Sequence, residues 1–375
     1  MPKIIARKQK VVRKLVLGVK GKLTANNVTI VNGEASIVDK NHILCGDETY
    51  ECDNLLLCTG SETFIPPIPG IDTVPYWTHR DALDNKELPR SLVVIGGGVI
   101  GMEFASFFNS LGVEVTVIEM LDEILGGMDK ELSAMLRAEY AKRGIKFMLN
   151  TKVVSLDGSA GENGETQVRV NYENAEGTGF SVAEKLLMSV GRRPVTKGFG
   201  LENLNPEKTE RGNIRVDGQM RTSVTGVYAC GDLTGFSLLA HTAVREAEVA
   251  VHAVLGKKDC MSYRAIPGVV YTNPEIAGVG DTEEALQKKG IPYRTVKLPM
   301  AYSGRFVAEN EGVNGMCKLL LAEDDTVLGA HVLGNPASEI ITLAGMAVEL
   351  KLTAAEWKKI VFPHPTVGEI FKEAL

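Results

Sequence analysis

The sequence predicts an α/β protein of doubly wound domains followed by a C-terminal α+β domain. Three observations carry this. Residues 91–119 read strand, glycine turn, helix, strand. Residues 222–254 read as a strand ending in Gly231-Asp232, followed by an apolar, Ala-rich helix. From Ile266 the pattern changes to the strands and helices of an α+β domain. Strands that alternate with helices in this way belong in a parallel sheet with helices on its faces.

The elements follow in order. The first 22 residues carry eight basic side chains and no acidic one. Ile5, Val12, Leu15, Val16 and Val19 recur at helical spacing, which predicts an amphipathic helix with a solvated basic face rather than a targeting or nucleic-acid segment. Residues 28–31 and 35–38 are strand-like, with Asn32-Gly33 as the turn between them. Residues 55–58 form an apolar strand ending in Thr59-Gly60-Ser61. Residues 64–70 hold three prolines and read as a crossing linker. The apolar run 92–95 is a buried parallel strand, and 113–118 is the next. A helix over 130–143, a strand over 145–149 and a β-ribbon with a glycine-rich tip at 157–165 follow. A strand over 185–190 then runs into Gly191-Arg-Arg-Pro194. Beyond the strand at 222–230, a helix is expected over 238–254.

The turn after Ile95 carries the chemistry. Gly96, Gly98 and Gly101 form G-x-G-x-x-G, with Gly97, Val99, Ile100, Met102 and Glu103 completing the segment. The first glycine permits a tight turn, the second lets backbone approach a pyrophosphate, and the third lets helix pack on strand. The free N–H groups and dipole of the helix start favour the anion. Glu119 ends the second strand, near the spacing expected of a carboxylate that binds a ribose 2′-OH. No Arg or Lys follows until Lys130, which favours NAD over NADP because nothing would compensate a 2′-phosphate.

Composition bounds the rest. A chain of 375 residues, 44% apolar, is sized for two or three domains. A net charge of −6 argues against nucleic-acid binding by the whole molecule. No apolar run approaches the roughly 18 residues of a membrane span, and no signal-peptide h-region is visible. The six cysteines show neither C-x-x-C nor C-x-x-x-x-C spacing. They read as small buried thiols in a reducing cytoplasm, with a redox pair built from distant cysteines as the alternative. Six histidines without clustered thiolates point to no metal site. His42, His79, His252 and His331 show no partner pattern.

Seven motifs together resemble the flavin-dependent pyridine nucleotide-disulfide oxidoreductases, most closely the dihydrolipoamide dehydrogenase branch. They are Leu57-Cys-Thr-Gly-Ser61, Val94-Ile-Gly-Gly-Gly-Val-Ile-Gly-Met-Glu103, Gly191-Arg-Arg-Pro194, Tyr228-Ala-Cys-Gly-Asp232, Leu238-Leu-Ala-His241, Tyr271-Thr-Asn-Pro-Glu275 and His364-Pro-Thr-Val-Gly-Glu369. The resemblance covers essentially the whole chain. It implies an FAD-binding part at 1–65, an NAD-binding domain at 66–193, a return to the FAD-binding domain at 194–265 and a dimerisation domain at 266–375. It further implies that Asp232 binds the ribityl chain of FAD, and that Leu238, Leu239, Ala240 and His241 line the flavin. Thr59, Gly60 and Ser61 would pass its ADP part, and the backbone at Ala35 would meet the adenine. Glu119, Val154 and Gly191 would contact NAD. His364 would act as the thiol base, oriented by Glu369, since an imidazole titrating near neutrality suits that work. Taken alone, Asp232 and His364 read equally as turn residues.

The chain also departs from the family. A first glycine fingerprint for FAD and the helix with the redox-active Cys-x-x-x-x-Cys are both missing from the sequence, a difference of at least one βαβ unit of more than ~30 residues. The expectation is therefore a shortened member of the family with an incomplete FAD site, inactive or nearly so by itself. The expected setting is a cytoplasmic homodimer serving the lipoyl domain of a 2-oxoacid dehydrogenase or glycine cleavage complex. The alternatives are a related reductase of the glutathione or mercuric type, disfavoured by Glu119 and by His364 with Glu369, and a non-catalytic NAD-binding homologue.

Overall fold

The computed structural model describes residues 1–160 and 166–375; positions 161–165 of the expected glycine-rich tip lie outside these. The described chain forms two compact units. One comprises 1–64, 84–87 and 191–262, the other 65–83, 88–190 and 263–375. No helix among the described residues is long and apolar enough to cross a membrane.

The first unit opens with the helix Pro2–Ala25, its proline at the first turn where a missing N–H costs nothing. The helix that the periodicity predicts forms. Only Ile5 is buried, however, and Val12, Leu15, Val16 and Val19 are all exposed. The apolar stripe is present but nothing in the described chain covers it. The strand expected at 28–31 does not form. Val28 N–H instead donates to Leu23 O at the helix end, and Val28, Ile30 and Val31 stand exposed. A β-branched run becomes a strand only where a neighbour can take its backbone bonds.

Downstream, Ala35–Ile37, His42–Cys45 and Glu48–Glu51 form an antiparallel sheet. Leu55–Leu57 pairs parallel with Val227–Ala229 in the register Leu57↔Ala229. Ser61–Thr63 pairs antiparallel with Arg192–Pro194. Ile37, Leu57, Leu201, Ile214, Val227, Ala229 and Leu233 form the core here. The helix Ala240–Val254 buries Thr242, Glu246, Val249, Ala250 and Ala253, one face at helical spacing. It begins two residues later than expected because Leu239 is the extended N-cap residue.

The second unit contains a parallel sheet in the order Lys185–Met188, Ser91–Ile95, Glu114–Ile118, Lys146–Met148. Its helices are Val99–Ser110 and Lys130–Lys142, the latter N-capped by Asp129, whose carboxylate accepts from Leu132 N–H at 3.1 Å. A three-stranded antiparallel meander, Lys152–Ala160, Thr166–Asn174 and Gly177–Ala183, packs against this sheet through Leu156, Val168 and Val170. The C-terminal part is a five-stranded antiparallel sheet, with the strand Val327–Leu333 between Ile276–Gly280 and Met316–Leu321. The helix Ala337–Glu349 lies on it, and Trp357 stacks on Phe371 in the same core.

The opposite face of this sheet is not wholly apolar, since it buries Lys318 and its cross-strand partner His331. Lys318 lies in the buried strand Met316–Leu321 and is 1% exposed. Its ammonium sits 2.8 Å from Asp129, 3.0 Å from Glu131, and against Glu283. Burial alone would depress its pKa; the three carboxylates reverse that and hold it above the ordinary lysine value.

The cysteines differ from the reading as uniformly buried thiols. Cys230 and Cys317 are buried, Cys45 and Cys52 half-buried, and Cys58 and Cys260 exposed. Two histidines read as unpartnered have carboxylate partners: His42 lies 2.9 Å from Asp39, and His252 lies 2.7 Å from Asp259. His331 is indeed a core residue, its Nε2 3.0 Å from Asp281 O.

Candidate functional site

The glycine turn has the geometry its residue types require. Gly96 has φ of 101°, and a Cβ there would fall 2.5 Å from Ser189 O. A Cβ on Gly101 would lie 2.0 Å from Gly96 O, so only glycine lets this helix approach the strand. Gly98 is the extended N-cap residue of Val99–Ser110, with open space where its Cβ would be and no side-chain cap. The first N–H groups of the helix therefore face an open cradle suited to a pyrophosphate.

Glu119 is fixed beneath this turn. One carboxylate oxygen accepts from Gly97 N–H at 2.6 Å, the other from Leu121 N–H at 2.8 Å. Each oxygen keeps a further lone pair, so a ribose hydroxyl can still be accepted. The other residues of the segment divide by role. Val99 is exposed on the first turn, whereas Met102 is wholly buried and serves packing. Glu103 accepts from Tyr271 N–H at 2.9 Å, and burial holds its carboxyl above the usual range. It thus ties the nucleotide-turn helix to the Tyr271-Thr-Asn-Pro-Glu275 segment. Ile100 stands half-buried on the same turn of helix, and Val154 is half-buried in the first meander strand.

In the first unit a polar cluster forms at the carboxyl ends of Leu55–Leu57 and Val227–Ala229, where ligands of open α/β sheets bind. Ser61 Oγ donates to Asp232. Arg192 donates to Ser61 Oγ and to Ser61 O, both at 2.7 Å, and lies 3.8 Å from the Asp232 carboxylate. Gly60 and Gly231 turn the backbone at φ of 70° and 73°. Thr59 Oγ1 donates to Val195 O at 2.8 Å. Gly191, at φ 130°, accepts from Phe64 N–H at 3.0 Å. Leu239 opens the helix Ala240–Val254 without a side-chain cap, Leu238 is exposed beside it, and His241 lies on its first turn. Ala35 is exposed at the start of its strand. Hydroxyl, carboxylate and guanidinium groups beside an uncapped helix start fit a polyhydroxyl chain joined to an anionic or ring group, as in the ribityl end of FAD.

Two participants escaped the sequence reading. Arg192 lies within the Gly191-Arg-Arg-Pro194 motif, which by itself gives the side chain no partner. Glu246 was hidden in an Ala-rich helix, although its spacing from Thr242 and Val249 places it on the buried face. Glu246 is fully buried and accepts from Gly231 N–H at 2.6 Å, which fixes the Gly231-Asp232 turn.

The C-terminal pair forms as expected. His364 Nδ1 lies 3.0 and 3.2 Å from the two Glu369 oxygens, and the His364 side chain is 81% exposed. Glu369 also accepts from Thr366 N–H at 2.8 Å within a capping box. That backbone bond, opposed by some desolvation and aided by His364, holds its carboxyl below the usual range. A carboxylate at Nδ1 selects the tautomer with its proton there and leaves the Nε2 lone pair outward.

Comparison with known proteins gives a consistent result. The family model described as pyridine nucleotide-disulphide oxidoreductase matches residues 1–247, and that of the corresponding dimerisation domain matches 266–375. Similar curated proteins include the dihydrolipoyl dehydrogenase of Geobacillus stearothermophilus, 38% identical over 98% of this chain and 78% of that protein. The mitochondrial dihydrolipoyl dehydrogenase of Homo sapiens is 36% identical over 100% of this chain and 74% of its own length. Among solved structures, LpdA from Mycobacterium tuberculosis superposes with a TM-score of 0.88 at 28% identity, covering 100% of this chain and 82% of that one. The HOCl-induced flavoprotein disulfide reductase RclA from Escherichia coli superposes with 0.88 at 28%, covering 99% and 84%.

Proposed function

The chain belongs to the pyridine nucleotide-disulphide oxidoreductase family, and from that premise we propose that it carries dihydrolipoamide dehydrogenase-type chemistry, the oxidation of dihydrolipoyl thiols with NAD+. The observation that carries this over simple nucleotide binding is the His364–Glu369 pair. His364 Nε2 is exposed to take a thiol proton, and Glu369 both orients the ring and stabilises the imidazolium that results. A module that only binds NAD has no use for such a base.

The nucleotide roles follow from the glycine turn. The Val99–Ser110 helix start would hold the NAD pyrophosphate, and Glu119 would accept from the ribose 2′-OH and repel a 2′-phosphate, making NAD the preferred coenzyme. FAD, when bound, supplies the two-electron link between thiols and nicotinamide. The residues here that fit it are Ser61, Arg192 and Asp232 at its hydroxyl-bearing chain, with the Ala240–Val254 helix start nearby. The expected assembly is a homodimer whose substrate is the lipoyl domain of a 2-oxoacid dehydrogenase or glycine cleavage complex. The 375 residues hold no Cys-x-x-x-x-Cys, so the chain alone is expected to oxidise dihydrolipoamide slowly or not at all. The second reading is an NAD-binding homologue without turnover.

The test is the visible absorption spectrum of the purified chain, recorded before and after NADH. Flavin bands that bleach on addition support the reading. A colourless protein that binds NADH without spectral change would overturn flavin binding by these residues and leave the second reading.

A further inference from the structure

We propose that Cys58 and Cys230 are a reversible thiol–disulfide pair, an oxidation site of the first unit separate from the hydride chemistry. The two residues are 172 positions apart in sequence, yet their sulfurs lie 3.4 Å apart. Strand register explains this. Leu57 and Ala229 are partners in the parallel pair, so the next residues on each strand, Cys58 and Cys230, emerge side by side. Cys230 N–H donates to Leu57 O at 3.1 Å, extending the ladder one step to the pair itself. Adjacent strands run about 4.8 Å apart, within the roughly 4.4–6.8 Å Cα range that a disulfide spans, so side-chain rotation can bring the sulfurs into bonding distance.

The two thiols are unequal in the way a two-step exchange needs. Cys58 is exposed and Cys230 buried. The hydrogen bond between them is shared unequally too. Their side-chain hydrogen bond holds the Cys58 thiol below its ordinary pKa and pushes that of Cys230 up, with burial adding to the rise. Cys58 is thus the attacking sulfur and Cys230 the resolving one.

The oxidant is a low-molecular-weight disulfide. The Cys58 thiolate attacks one of its sulfurs; that S–S bond breaks, one small thiolate leaves, and a mixed disulfide forms on Cys58. Cys230 then gives up its proton, attacks the Cys58 sulfur and displaces the second small thiolate. The Cys58–Cys230 bond has formed, two protein thiols are oxidised, and one small disulfide is reduced to two thiols. The protons lost by the cysteines balance those taken up by the leaving thiolates. The new bond ties together the strand ends that carry Ser61 and Asp232, so the redox state of the surroundings acts directly on the spacing of that cluster.

The experiment treats the fully reduced native chain with oxidised glutathione, quenches with an alkylating reagent, and reads intact mass and proteolytic peptides. The expected product has lost the mass of two hydrogens, alkylates at four cysteines instead of six, and yields one cross-linked peptide joining Cys58 to Cys230, released by dithiothreitol. Cys260, exposed but with no part in the pair, should remain alkylatable in that product. Cys230→Ala should arrest the reaction at a stable glutathione adduct on Cys58, and Cys58→Ala should give neither adduct nor cross-link at Cys230. Two outcomes overturn the proposal: a persistent glutathione adduct on Cys58 of the unsubstituted chain, or both thiols alkylated as fully as in the untreated protein.

Discussion

Replacing Lys318 with methionine keeps the shape of the buried side chain and removes its charge. Three carboxylates face that ammonium, and they are not equally dependent on it. Glu131 keeps Lys297 at 2.7 Å, and Glu283 keeps the Tyr293 hydroxyl at 3.1 Å. Asp129 is 1% exposed; its Oδ1 accepts from Leu132 N–H, but among the described residues its Oδ2 has no partner beyond the ammonium 2.8 Å away. The loss therefore concentrates on the Asp129 carboxylate, which would keep only its cap bond to Leu132 N–H. Removing one partner of a buried ion pair costs about 3–5 kcal/mol, and Lys318→Met is expected near that range. Both tryptophans, Trp77 and Trp357, belong to the second unit, so tryptophan fluorescence during urea unfolding follows the unit that contains Lys318, and the midpoint shift multiplied by the slope gives the loss. Acid adds a second readout. Although burial pushes the other way, the lysines hold the Glu131 and Glu283 carboxyls below their ordinary values. Their contribution is present above the ordinary glutamate range near pH ~4.3 and is lost as pH falls through the depressed folded values. Lys318→Met should flatten this acid loss. A cost below about 1 kcal/mol, the size of an exposed pair, would refute the reading of a dry, interdependent cluster.

Other perturbations address the sites. Gly101→Ala forces a Cβ against a backbone carbonyl, and is expected to cost about 1–3 kcal/mol or more and to weaken NADH binding, measured by fluorescence-monitored unfolding and calorimetric titration. Glu119→Arg should weaken NADH roughly tenfold or more and relax discrimination against NADPH; unchanged coenzyme preference in paired titrations would remove the ribose role. His364→Gln should lower any thiol-linked turnover about 10²–10⁴-fold while leaving NADH affinity unaltered, so stopped-flow thiol oxidation and NADH titration are read side by side. Asp232→Ala should deprive Ser61 and Arg192 of their shared carboxylate and reduce flavin retention, checked as the flavin-to-protein absorbance ratio after gel filtration.

The glycine turn and the His364–Glu369 pair were legible because their determinants are local. Gly96, Gly98 and Gly101 answer to backbone constraints within one turn, and periodicity on either side identifies strand and helix. His364 and Glu369 stand five residues apart and meet through a capping box that the intervening residues build. Propensity failed where a local tendency needed a distant partner. Among the described residues, 28–31 have strand-like side chains but no strand beside them, and the stripe on Pro2–Ala25 has helical spacing but no cover.

What the sequence by itself determined is therefore the kind of protein: a glycine turn between strand and helix with a carboxylate ending the next strand, a second strand–Gly-Asp–helix unit, and a histidine–glutamate pair near the C-terminus. Tertiary structure alone decided which distant groups meet. Ser61 reaches Asp232 across 171 residues, Glu103 reaches Tyr271 across 168, and Cys58 reaches Cys230 across 172. Lys318, one lysine among many in composition, becomes the centre of three carboxylates. These meetings follow from strand register and helix packing, in which a shift of one residue turns a side chain to the opposite face of the sheet. Register is set by the burial of whole faces at once, and no window of the sequence contains that sum.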